Sequence, residues 1–94
     1  MSKVILSGYI IVPDNDLVSV KQALEKHAQL TLEEAGCLVF EVVKDASDPN
    51  RFTVYEEFID QAAFEHHQAR VRVSHWGEVT MNVERHYKCK IVSD

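Results

Sequence analysis

The succession of elements written into this chain predicts an α+β fold of the ferredoxin-like kind, βαββαβ, with an antiparallel sheet and both helices on one face. Three observations carry the prediction. Two runs rich in β-branched and aromatic residues, Cys37-Leu38-Val39-Phe40-Glu41-Val42-Val43 and Arg51-Phe52-Thr53-Val54-Tyr55-Glu56-Glu57-Phe58, flank a turn at Asp48-Pro49-Asn50. Helical periodicity occurs on both sides of that hairpin. The outermost segments again read as strands.

A first strand covers residues 3–12 and stops at Pro13. Asp14, Asn15 and Asp16 offer caps for a helix in which Leu17, Val20, Leu24, Ala28, Thr31 and Ala35 recur at three- and four-residue steps. Gly36, able to adopt the left-handed backbone, is the expected stop. After the hairpin, Asp60 is the expected cap of a second helix with Ala63, Phe64 and His67 on one face. Val71 and Val73 weaken the helical pattern, which resumes near Trp76 and breaks at Gly77. Residues 60–77 therefore read as a helix, a short turn and a second helical piece. A last strand lies within residues 83–92, with Val83, Tyr87, Cys89 and Ile91 on one face.

The 94 residues make one domain, with little apolar area to spare. A formal charge of −5 argues against binding a phosphate backbone, so no nucleic-acid partner is expected. The apolar stretch at 4–12 is too short to span a membrane and no cleavage site follows a basic leader, which points to a cytoplasmic location and no membrane partner. Cys37 and Cys89 lie in strands without metal-type spacing and read as buried thiols in a reducing compartment. The five histidines give no helical pair with a third ligand nearby, and there is no Gly-rich phosphate loop or serine elbow. Neither a metal nor a cofactor is expected.

Helices on one face leave the other face of the sheet bare. Phe40 and Val42 point opposite to Val39 and Val43, yet all are apolar, which favours a homodimer that covers the second face. Glu56 and Glu57 are strand neighbours and face opposite sides, so they do not form an acid–base pair. Structural roles are expected for them, as for Glu41, which invites a bridge to Arg51 or Arg85.

The segments Glu34-Ala35-Gly36-Cys37, Phe40-Glu41-Val42, Asp48-Pro49-Asn50-Arg51-Phe52, Val54-Tyr55-Glu56-Glu57-Phe58, Ala63-Phe64-Glu65-His66-His67-Gln68 and Trp76-Gly77 together cover nearly the whole chain. In order and spacing they resemble the antibiotic biosynthesis monooxygenase superfamily. The resemblance implies a dimeric α+β barrel made by two ferredoxin-like sheets packed face to face. It also implies one of several activities: oxidation of quinols or polycyclic phenols by oxygen without flavin or metal, haem degradation, or isomerisation of a phosphorylated sugar. Leu6-Ser7-Gly8-Tyr9 lacks the asparagine that haem-degrading relatives use, which counts against haem.

His67 matches the histidine that follows the Phe-x-x motif in this superfamily, and a neutral imidazole is suited to taking a proton from a phenolic hydroxyl. The alternative is a histidine packed under its helix. Arg72 stands where many relatives carry a second histidine, and its guanidinium, or that of Arg70, would hold an anion. The expected site has His67 as base, Arg72 or Tyr55 holding the developing anion, and Trp76, Phe64 and Phe40 shaping an apolar pocket for an aromatic substrate and oxygen. Two competitors remain at this point. One is an isomerase or tautomerase of a small carbonyl compound, phosphorylated or not, and the other is a non-catalytic dimer that binds a small ligand.

Overall fold

Alternation and turn chemistry yield four strands, and the computed structural model, which describes residues 2–93, joins them in one antiparallel sheet. Strands β1 (Ser2–Ile11), β2 (Cys37–Lys44), β3 (Arg51–Phe58) and β4 (Glu84–Ser93) lie in the order β2-β3-β1-β4. Helices α1 (Leu17–Leu32), α2 (Gln61–Arg72) and α3 (His75–Val79) complete the ferredoxin-like α+β arrangement, with α1 against β2 and α2 against β1 and β3. The sheet is open rather than closed on itself. Among the described residues no helix is long and apolar enough to cross a membrane.

The layer between sheet and helices has two chemically different parts. Ile10, Val12, Val20, Phe52, Val54 and Val83 form an aliphatic and aromatic cluster, flanked by Leu17, Val42 and Val79. The remaining buried set mixes Val4, Leu6, Ala23, Phe40 and Phe58 with His27, Thr31, Glu56, His67 and Thr80. The register sets Phe40, Glu56, Leu6 and Cys89 side by side across the sheet, so a glutamate occupies an otherwise apolar row. Gly8, paired with Tyr87, has φ 147°, and a Cβ there would lie 1.9 Å from the His86 carbonyl oxygen, so the strand closes on β4 only with glycine.

Helix α1 is entered through a 3-10 turn at Asp14–Asp16, and no side chain of that run caps it. Asp14 instead accepts a hydrogen bond of 2.7 Å from Asn50, which also donates to the Val12 carbonyl and ties the hairpin turn to the exit of β1. The buried face of α1 is Val20, Ala23, His27 and Thr31. The expected stripe is thus rotated, with Leu24 and Ala28 only flanking it.

The helix also stops early, at Leu32, and Gly36 is not left-handed, since Gly8 alone has a positive φ among the described residues. The need for glycine at 36 is steric: a Cβ would come within 2.3 Å of the Ala63 Cβ. The early stop puts Glu34 in a turn from which its carboxylate reaches His67 and Arg70 of α2.

The Asp60 carboxylate caps α2 by accepting from the Ala63 amide at 2.8 Å. Ser74 caps α3 by accepting from the Gly77 amide at 3.1 Å, so Gly77 lies inside a helix rather than breaking one. Both cysteines are free, but Cys37 is only half-buried and Cys89 is exposed on the edge strand, where no helix covers it. Glu41 gains neither expected partner: the Arg51 guanidinium lies 3.8 Å over the Tyr9 ring, and Arg85 donates to Thr80.

Candidate active site

Asp60 starts α2 at a fixed point, and the helical repeat then turns Ala63, Phe64 and His67 toward the sheet. His67 ends up 2 % exposed. Its Nδ1 lies 2.8 Å from Glu34 Oε2, and the same oxygen accepts from Arg70 Nε at 3.0 Å. Arg70 also donates to Thr31 Oγ1 at 2.9 Å. A carboxylate held by a guanidinium can only accept, so the imidazole must donate its Nδ1–H. The neutral ring therefore keeps its lone pair on Nε2. Burial lowers the His67 pKa, outweighing the Glu34 carboxylate that acts to raise it, so the ring is neutral at neutral pH.

Nε2 faces a cavity of about 160 Å³ bordered by His67, Gln68 and Val71 of α2, Trp76 of α3, and Leu6 and Glu56 of the sheet. His27 closes one side, and Arg85 and Tyr87, both exposed, stand at its outer rim. Glu56 Oε1 is 3.5 Å from His67 Nε2, makes no hydrogen bond and is buried. Burial, followed by the charge of Glu34, pushes the Glu56 carboxyl up to about 7. Tyr87 is 38 % exposed as a residue, but desolvation of its hydroxyl, followed by the charge of Glu56, pushes that group up to about 12.

His27 lies flat on Trp76, with centroids 4.6 Å apart and planes 4° from parallel, while Phe40 meets its ring edge-on at 5.3 Å. Its Nδ1 is buried without a partner. Burial, aided by His67 and Arg70, lowers its pKa to about 3, so it behaves as a neutral aromatic plate.

Of the residues singled out from sequence, His67 and Trp76 both border the cavity. Phe40 stands behind His27 and beside Glu56, and Phe64 packs on Phe58 at 5.6 Å without reaching the cavity. Tyr55 is on the opposite face of the sheet, where its hydroxyl donates to Glu57, itself paired with Lys3 at 2.8 Å. Strand alternation puts it there. Arg72 is exposed beside Met81 in an adjoining depression that shares Gln68, Val71 and Arg85 with the cavity, and Arg70 is engaged with Glu34. Glu34, Glu56, His27, Arg85 and Tyr87 had not been singled out as site residues. For Glu56 a signal existed, since it falls in phase with Phe52, Val54 and Phe58. Among the described residues no group of three or more His, Cys, Asp or Glu could hold a metal ion.

The profile of the family "Antibiotic biosynthesis monooxygenase" matches residues 8–79, more than half of the chain. The chain belongs to this family. No curated protein matches the sequence. Several solved structures do match in fold. A Nitrosomonas europaea protein carrying the family name superposes with a TM-score of 0.76 at 21% identity, over 100% of this chain and 98% of its own. One from Bacteroides thetaiotaomicron gives 0.78 at 24%, over 99% and 89%. One from Deinococcus radiodurans gives 0.73 at 24%, over 100% and 92%. At these identities the likeness speaks for the fold. Membership of the antibiotic biosynthesis monooxygenase family supports a general small-molecule, monooxygenase-like role.

Proposed function

We propose that this chain is a cofactor-independent monooxygenase of single-ring quinols or related phenols, with His67 as the base. The observation that carries the reading is the Glu34–His67 pair, which leaves an unprotonated Nε2 facing a chamber where the apolar Leu6, Val71 and Trp76 stand beside polar groups such as Glu56 and Gln68. A phenolic hydroxyl entering the chamber gives its proton to Nε2, and the electron-rich anion reacts with dioxygen directly. One oxygen atom ends in the ring as a carbonyl, the other leaves as water, and the substrate loses two hydrogens, so the reaction balances without an added reductant. Leu6, Val71 and Trp76 limit water around the anion, which would otherwise be reprotonated. Cavity size favours one ring, because roughly 150 Å³ holds a benzene and this chamber is about 160 Å³.

The isomerase reading drew on Arg70 and Arg72, and neither borders the cavity. We further propose that the uncovered face of the sheet, with Ile5, Tyr9, Val39 and Val43 on it, pairs with a second copy in the cytoplasm. Oxygen uptake with 1,4-benzenediol, intact protein against His67→Ala, tests the assignment. Equal rates would remove His67 from the mechanism.

A further inference from the structure

We infer that Glu56 is a second catalytic residue of this cavity, the acid that protonates the peroxide formed on the substrate and then takes up the ring proton. The inference rests on the oxygenase reading above. It starts from an anomaly: a glutamate in the row Phe40–Glu56–Leu6, 6 % exposed, with a buried carboxyl oxygen that no group satisfies. An unpaired buried polar atom is costly, and such a group needs a reason. Here the unsatisfied oxygen belongs to a residue lining the cavity and lies 3.5 Å from the proposed base. A substrate hydroxyl lodged between Glu56 and His67 would donate to Nε2 and accept from the carboxyl.

The surroundings single out Glu56 among the possible donors. From α2 it faces His67, from the turn after α1 it feels Glu34, from β4 it faces Tyr87, and Cys37 at the start of β2 senses its charge. Arg85, also at the rim, makes two hydrogen bonds of 3.0 Å to Thr80. Tyr87 stands at the rim and is 38 % exposed, so water competes for its hydroxyl. Glu56, near 7, exchanges a proton readily in neutral solution.

The sequence of steps balances. His67 takes the hydroxyl proton, and dioxygen adds to a ring carbon that bears hydrogen, giving a peroxide anion. Glu56 protonates that anion and becomes a carboxylate. The carboxylate then removes the hydrogen on the same carbon as a proton while the O–O bond breaks. The departing hydroxide takes the proton held on His67 and leaves as water. A carbonyl remains on the ring, and both side chains are back in their starting states.

The test is steady-state oxygen uptake with 1,4-benzenediol across pH, comparing the intact protein with Glu56→Gln and Glu56→Asp. Glu56→Gln keeps the shape and removes a buried acid, so it should fold. Its turnover should fall by about a hundred-fold or more, with phenol binding changed by less than about twofold. The loss of activity as pH rises through about 7 should vanish in Glu56→Gln and reappear in Glu56→Asp. Glu56→Gln turning over within about threefold of the intact protein with the same alkaline limb would overturn the role of Glu56 alone. Intact protein that consumes no oxygen would overturn the oxygenase reading and this inference with it.

Discussion

His27 and Trp76 stack 4.6 Å apart and within 4° of parallel, so the wall of the candidate site contains an imidazole used as an aromatic surface. The stack requires a neutral ring, since a charge there would have no buried counterion beside it and would face Arg70.

Acidification should therefore loosen this wall. The folded-state pKa of His27 is about 3 against an ordinary 6.5, so its contribution is complete above 6.5 and is lost as pH falls toward 3. His67, also lowered, acts in the same direction. Urea unfolding should show about 2 kcal/mol lost from His27 between neutrality and about pH 5. His27→Phe should remove that slope while keeping the stack. An unchanged slope in the variant would show that His27 does not titrate in this way.

Glu34 sets which nitrogen of His67 bears the proton. In Glu34→Gln the amide can turn its NH2 toward Nδ1, draw the lone pair there and leave Nε2 protonated toward the cavity. Turnover should fall by roughly a hundred-fold or more, with KM little changed, because a base in the wrong tautomer binds but does not deprotonate. Nitrogen NMR of the ring reports the tautomer directly. Unaltered turnover with an altered tautomer would separate Glu34 from the chemistry.

How far such a site could be read from the sequence depends on the kind of signal each residue carries. Asp60, the periodicity after it and the alternation of β3 are local patterns, so α2, the hairpin and the inward turn of His67 were legible. The same alternation sets Tyr55 on the far face with Glu57 and sets Glu56 inward, and helical phase puts Arg70 rather than Arg72 beside His67. Those distinctions were available in principle. The approach of Glu34 to His67 was not, because it depends on α1 stopping at Leu32 and on Gly36 letting Ala63 come close. Nothing in the residues from 32 to 36 announces that contact.

Glu56 should give the opposite pH dependence of stability from His27. Its folded-state pKa is raised from 4.5 to about 7, so its favourable contribution is full below 4.5 and disappears as pH rises through about 7. Glu56→Gln should match the intact protein near about pH 4 and exceed it by roughly 2–3 kcal/mol at about pH 8. Equilibrium urea curves at the two pH values decide the matter. A variant no more stable in alkali than in acid, relative to the intact protein, would mean that Glu56 ionises freely in the fold.

The chamber itself makes a claim about substrate size. At about 160 Å³ it has the volume of a single aromatic ring, and Leu6, Trp76 and Val71 are among the side chains that border it. A second fused ring would have to extend past Tyr87 and Arg85 at the rim, giving up contact with the walls. Specificity in such a pocket is worth about ten-fold or more per poorly fitting group, so kcat/KM for 1,4-benzenediol should exceed that for 1,4-naphthalenediol by at least about ten-fold. Val71→Ala removes a wall without touching His67, Glu34 or Glu56, and should bring the two substrates to within about twofold of each other. Because auto-oxidation differs between the diols, rates are compared after subtracting those with His67→Ala. Preference of the intact protein for the fused-ring diol would show that the productive site is larger than this cavity and that the rim, rather than the interior, holds the substrate.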